Sequence, residues 1–266
     1  MTDPKLPTRD NRWYGRRADI GDPRDFCFAD AQRHLLSAPI PPTVDLRTTG
    51  CVPPVYDQGA LGSCVGNATA AAYAYDQKRQ GRRRSKPSRL FVYYGARQIE
   101  GSVASDSGCE IRDGMKTLAN LGAPHETLWP YKIASFAKRP SIRAYWDGEK
   151  HQALTYLRVA NTPTDTQLAA ALAGGFPVVI GISVFESFES TAVATTGIVP
   201  MPSRAEQLLG GHCMYAIGYE TTPSGRVYRV RNSWGVWGDA GDCHIPAAYL
   251  TNPDLASDFW TLSSVE

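Results

Sequence analysis

Gln58 to Gln80 reads QGALGSCVGNATAAAYAYDQKRQ, and the rest of the chain is organised around it. Gly59 and Gly62 allow a tight loop, and Ser63 is a residue type that readily caps a helix. A helix is therefore expected to start at Cys64, with the sulfur among unpaired N–H groups at the positive end of the macrodipole. That setting favours the thiolate, the form that attacks carbonyl carbon, and cysteines so placed titrate at roughly 3.5 to 7.5 when a histidine assists. From Val65 the helix carries Ala68, Ala70, Ala71, Ala72, Tyr73, Ala74 and Tyr75, with no charge before Asp76. A helix apolar nearly all round belongs at the centre of a fold. Gln58 stands across the turn from Cys64, where its amide can join the Cys64 N–H as a two-donor oxyanion hole. Against this stands the commoner fate of a buried cysteine, which is to pack and do nothing.

These residues carry a resemblance. Pro54-Val55-Tyr56-Asp57-Gln58-Gly59 followed by Gly62-Ser63-Cys64 resembles the papain family of cysteine peptidases. Leu61 stands where many members have a disulfide cysteine, and Val65 where they have an aromatic residue; both point to a bacterial-type branch. The resemblance implies a thioester mechanism needing a histidine base. Of the five histidines, at 34, 125, 151, 212 and 244, only His212 has a supporting context: Gly210-Gly211-His212 runs into the apolar Cys213 to Tyr219. Next, Arg231-Asn232-Ser233-Trp234-Gly235-Val236-Trp237-Gly238 resembles the family's asparagine motif, with Asn232 as the residue that orients His212 and Trp234 as the shield over that bond. Cys64 is separated from His212 by 148 positions and from Asn232 by 168, somewhat beyond the roughly 130 to 150 usual in the family. Phe185 to Leu209 is the expected extra length. One residue fewer separates the two tryptophans than in the plant enzymes, so the leaving-group side near Trp237 is expected to differ.

The resemblance further implies that Gly108 and Cys109 hold the substrate strand by their backbone. Ile111, Gly181 and Cys213 would line the pocket for the residue two before the scissile bond. With no charge expected there, a medium apolar or aromatic side chain is the expected occupant.

The chain has 266 residues, 42% of them hydrophobic, and a formal charge of +2. That length suits one compact enzyme or two closely packed lobes. The charge gives no reason to expect nucleic acid, an acidic membrane surface or a polyanion. The basic run Gly81 to Lys86 reads as a solvated loop. The longest apolar run, Pro177 to Phe185, is too short to span a bilayer. The N-terminus lacks the apolar core of a secretory signal, which leaves a cytoplasmic location or export by another route. Six cysteines, at 27, 51, 64, 109, 213 and 243, then read as thiols, with one or two bridges left open. His212-Cys213 and Cys243-His244 are poor zinc candidates, because neighbours on a strand point to opposite faces. No cofactor or metal is expected, and the protein is expected to be a monomer.

In chain order, Met1 to Pro39 has little periodicity and ends at the stiff joint Pro39-Ile40-Pro41-Pro42, so residues 1–40 are expected to form an extension. Val44-Asp45-Leu46-Arg47 resembles the start of mature family members, which makes the extension prosegment-like. Trp13, Tyr14, Phe26 and Phe28 give it apolar anchors, and it is expected to lie across or beside the cleft and limit access to it. Residues 41–150 read as a helical lobe: Ser88 to Glu100 is amphipathic, and Ile111 to Leu121 closes at Gly122. Residues 151–266 change period, with short runs at Ala153 to Ala160, Pro177 to Val184, Cys213 to Glu220, Arg226 to Arg231 and Cys243 to Ile245, and a helix at Asp165 to Ala173. The expected fold is α+β and papain-like: a helical lobe and an antiparallel, barrel-like β lobe, with the cleft between them. The expected function is hydrolysis of protein or peptide substrates through an acyl-enzyme at Cys64. Two alternatives keep the same site: acyl transfer to an amine, or binding without catalysis.

Overall fold

The change of period along the sequence becomes a change of architecture. Residues 14–82 and 86–265 are described by a computed structural model. The first thirteen residues of the expected extension, Trp13 among them, and Arg83 to Ser85 of the basic run lie outside them.

The chain begins with β1 (Arg16–Arg17), α1 (Phe28–Ala31), α2 (Arg33–Leu36) and β2 (Thr43–Asp45). The helical lobe follows as α3 (Cys64–Arg79), α4 (Arg89–Ile99), β3 (Cys109–Glu110), α5 (Ile111–Asn120) and α6 (Ile142–Gly148). Every residue of α3 from Cys64 to Gln77 is buried, as its apolar circumference predicts. Gly66 lets α4 approach closely: a Cβ there would stand 2.7 Å from the Arg89 carbonyl oxygen. Ser88 caps α4 by accepting from the Phe91 N–H.

The β lobe contains β4 (Ala153–Ala160), α7 (Asp165–Ala173), β5 (Val178–Phe185), α8 (Thr191–Thr196), β6 (Leu208–Thr222), β7 (Gly225–Arg231), β8 (Asp242–Pro246), α9 (Ala247–Leu250) and β9 (Ala256–Val265). Its strands run β4-β9-β5-β6-β7-β8 in antiparallel pairs, with β2 added beside β6. The architecture is the expected α+β one. β9 was not expected. It lies between β4 and β5 and its stretch Asp258 to Leu262 is buried, so the alternation that marks a half-exposed strand is absent.

Part of the stretch before residue 40 packs on the β lobe. Phe28 is buried, with its ring edge-on to Phe176 at 5.5 Å. The Arg158 N–H of β4 donates to the Phe26 carbonyl at 2.8 Å, and a Cβ on Gly174 would meet Leu35 at 2.5 Å. Residues from about Phe26 onward therefore belong to the β lobe. Only the stretch before them crosses to the helical lobe, where β1 pairs in parallel with β3. The stiff joint then delivers β2 directly onto β6, so the first strand after it belongs to the sheet.

Candidate active site

The N-terminus of α3 abuts β6, and this contact brings the two motifs together. The Cys64 sulfur accepts backbone N–H groups from Val65 on its own helix and from Cys213, the residue after His212. Ser63 occupies the N-cap position without capping through its side chain. Its hydroxyl donates instead to the Tyr131 hydroxyl, whose proton goes to the Gln58 carbonyl at 2.8 Å. The loop that the glycines permit is thereby tied to the residue expected to serve as oxyanion donor.

His212 Nε2 lies 2.8 Å from Asn232 Oδ1. That oxygen also accepts the Ser233 N–H at 2.7 Å, which identifies it as the carbonyl end of the amide. Nε2 must then carry the proton, and Nδ1 is the ring's acceptor. Trp234 stacks on the imidazole with centroids 4.7 Å apart and planes 27° apart. Trp237 is buried behind Trp234, edge-on to it at 5.1 Å and stacked on Phe188 at 5.2 Å. Its place is thus support for Trp234. Phe188 comes from the extra length at 185–209, which backs this side of the site. Gln58 is fully buried: its Oε1 accepts from Ser233 Oγ at 2.7 Å and its Nε2 donates to the Leu61 carbonyl at 2.9 Å. The two motifs therefore fix each other's side chains.

The N-terminal stretch lies over this constellation. Tyr14 meets the His212 ring edge-on at 6.0 Å and bonds Glu189 through its hydroxyl. The Gly15 N–H donates to the Cys64 sulfur, while the Gly15 carbonyl accepts from the Cys109 N–H at 2.7 Å. Glycines make room for this backbone. A Cβ on Gly108 would stand 2.1 Å from the Gly15 oxygen, and one on Gly211 would stand 2.3 Å from the Arg16 oxygen. The Cys109 N–H thus holds this extended strand, and Gly108 leaves room for it. Under this cover burial pushes the Cys64 thiol up to about 11, against the lowering effect of the three N–H donors and the Arg16 charge. The expected depressed thiol is absent here because desolvation outweighs the helix terminus.

Arg16 corrects the expectation of an uncharged pocket. Gly181 pairs with Cys213 on one side and Ser257 on the other. The space above Gly181 holds the Arg16 guanidinium, since a Cβ there would stand 2.3 Å from Arg16 Nε. Arg16 forms an ion pair with the buried Asp258 and a hydrogen bond to Ser257 Oγ. Ile111 is fully buried at the start of α5 as part of the core. Next along the cover, Arg17 pairs with Glu100. Asp19 then accepts from Trp260 Nε1 at 2.7 Å and the Arg112 N–H at 3.2 Å.

Arg16, Glu100, Ser257 and Asp258 were not among the candidates from sequence. The available signals were the adjacent Arg16-Arg17 and the lone charge in the strand ASDFWTLSSV. Neither says where its partner lies. All six cysteines are free thiols.

A family profile described as "Papain family cysteine protease" matches residues 40–248. An uncharacterized peptidase C1-like protein of Acanthamoeba polyphaga mimivirus is 42% identical over 217 residues, covering 79% of this chain and 69% of that protein. Cysteine proteinase 3 of Entamoeba histolytica is 30% identical, covering 76% of this chain and 61% of that protein. Among solved structures, xylellain, a cysteine protease from the bacterium Xylella fastidiosa, superposes with a TM-score of 0.85 at 38% identity over 95% of this chain and 96% of the other. That likeness agrees with the bacterial-type departures at Leu61 and Val65. Sequence, fold and profile together place this chain in the papain family of cysteine proteases.

Proposed function

We propose that the protein is a cysteine peptidase held latent by its own residues 14–20, with Cys64 as nucleophile, His212 as base and acid, Asn232 as orienter and Gln58 as oxyanion donor. The observation that carries this reading is the His212 to Asn232 bond, which leaves Nδ1 as acceptor beside the strand position whose N–H holds the Cys64 sulfur. With the cover displaced, His212 Nδ1 takes the thiol proton and the sulfur attacks the scissile carbonyl. The oxyanion forms against the Cys64 N–H and the Gln58 amide. His212 then protonates the leaving amine, and water hydrolyses the thioester with His212 as base. Trp234 keeps the orienting bond dry throughout.

The cover is not itself presented for attack. It offers the sulfur an N–H from Gly15, and the Gly15 carbonyl is turned the other way, onto Cys109. Residues up to 150 that follow β2 act as the helical wall, residues 151–265 together with β2 act as the sheet wall, and the part that must move ends before Phe26. An irreversible epoxide reagent directed at active thiols tests the reading. Full-length protein with the cover loosened by Arg16→Ala takes up one equivalent at Cys64 while the other five cysteines stay free; uptake elsewhere refutes it.

Gln58→Ala is expected to lower kcat by about 10² to 10³, the loss usual for one oxyanion donor. Steady-state rates measure it, and an unchanged kcat removes Gln58 from the mechanism.

Asp19 makes the cover sensitive to pH. Burial, and then the Asp258 charge, push its carboxyl up to about 6, against the hydrogen bonds from Trp260 and the Arg112 N–H and the charge of Arg158. The docked segment thus holds a proton that the released segment, with an ordinary value of 3.8, gives up. Asp19's contribution to docking is therefore full below about pH 4 and lost as pH rises through about 6. Trp260 emission in the Cys64→Ala protein is expected to report release over this window, and Asp19→Asn is expected to flatten the change. An identical profile in both proteins contradicts the assignment.

A further inference from the structure

We propose that the cleft selects substrates with two consecutive basic residues, the nearer lying two before the scissile bond in the Gly181–Ser257–Asp258 pocket and the farther lying against Glu100. This rests on the peptidase reading, and it replaces the apolar preference expected from the sequence. The cover supplies the argument, because it is an extended strand already seated in the cleft. From the Cys64 sulfur outward its residues are Gly15, then Arg16, then Arg17, and both arginines meet carboxylates.

The pocket is built for a guanidinium. Gly181 removes the side chain that would fill it, and Gly211 lets the Arg16 backbone come close enough to reach it. At its end one Arg16 nitrogen meets both the Asp258 carboxylate and the Ser257 hydroxyl. Asp258 is 1% exposed, and a lone carboxylate there is expensive without a cation. Its backbone sits in the left-handed region at φ 64°, a conformation costly for a residue other than glycine, asparagine or aspartate. That conformation interrupts the register between β5 and β9 and belongs to the wall of the pocket. An uncharged leucine or phenylalanine in the same space would leave Asp258 with the Ser257 hydroxyl at 3.1 Å and, on its other oxygen, Arg158 at 3.5 Å.

The second position is shallower. Arg17 is half exposed, while Glu100 is 7% exposed and also accepts the Glu110 N–H at 2.8 Å. Glu110 and Asp113 bring further carboxylate oxygens to within 4.8 Å of Glu100. Like charges this close favour a cation in front of them. Position two therefore carries a strong preference for a cation whose terminal nitrogen reaches both Asp258 and Ser257, as the Arg16 nitrogen does. Position three carries a weaker preference for either cation.

Full-length protein with Arg16→Ala and Arg17→Ala, which vacates both positions, is assayed on fluorogenic peptides that differ only at these two residues. Arginine at position two is expected to exceed leucine about thirtyfold or more in kcat/KM, the scale for losing one partner of a buried charge pair. Asp258→Asn, which keeps the left-handed backbone accessible, is expected to abolish that ratio while leucine peptides are still cut. Glu100→Gln is expected to remove only the preference at position three. Leucine or phenylalanine preferred with Asp258 intact, or Asp258→Asn lowering all peptides equally, overturns the proposal. The same peptides are also titrated against the Arg16→Ala, Arg17→Ala chain carrying Cys64→Ala, with Trp260 emission as the readout. Tighter binding of the arginine peptide, lost in Asp258→Asn, keeps the pocket assignment even where no turnover is seen, in which case the peptidase reading alone fails. Equal binding of arginine and leucine peptides overturns the pocket.

Discussion

Cys64→Ala, introduced into the Arg16→Ala chain, is expected to lower peptide hydrolysis by at least about 10⁴-fold while the protein stays folded. Removing a nucleophile from a site that works as a unit costs nearly all of its catalysis, because the base then has nothing to activate. Alanine fits where the thiol was, since the substitution leaves a cavity of about one sulfur atom within a closely packed lobe, and the cost in stability is about 1 kcal/mol. Initial rates on a peptide substrate and a thermal unfolding curve separate the two effects. A folded variant with activity near that of its parent contradicts the assignment of Cys64, whatever the likeness to other family members.

Arg16→Ala alone, in the full chain, is expected to raise kcat/KM on a small peptide by about 10²-fold. The docked cover would lose one partner of a buried ion pair with Asp258, whose removal costs roughly 3 to 5 kcal/mol where both charges are out of water. Covalent tethering opposes release, because the effective concentration of a linked segment can reach the millimolar range, and the rise stops once the cleft is fully open. Arg16→Lys, which keeps the charge on a shorter side chain, is expected to fall between wild type and Arg16→Ala. Equal activity of all three folded proteins would mean that the segment covers the site without limiting access to it.

The parts of this account visible in the sequence are those whose chemistry is local. The Gly59 to Cys64 loop, the all-round apolar α3, the glycines before His212 and the motif around Asn232 each combine residue type and neighbour in a way that one stretch of chain can express. The helical lobe followed by the sheet lobe was visible for the same reason, through the change from a 3.6-residue period to short β runs. The packing of Phe28 and Leu35 was not legible because it shows only when β4 and α7 are present to receive them. β9 escaped notice because a strand in the middle of a covered sheet has no exposed face to alternate with. The charged pocket was invisible for a stricter reason. Arg16 and Asp258 are 242 positions apart, and nothing near either one encodes the other. The raised thiol of Cys64 likewise comes from burial that its own stretch of sequence does not announce.

The thioester itself is the most direct test of the central claim. The Arg16→Ala chain is mixed with an ester substrate carrying arginine two residues before the scissile bond, quenched in acid within the first turnover, digested and weighed. An acyl group on the peptide containing Cys64, lost on incubation at neutral pH and absent in Cys64→Ala, is the predicted result. Turnover at full rate with no acyl group on Cys64 at any quench time would contradict it.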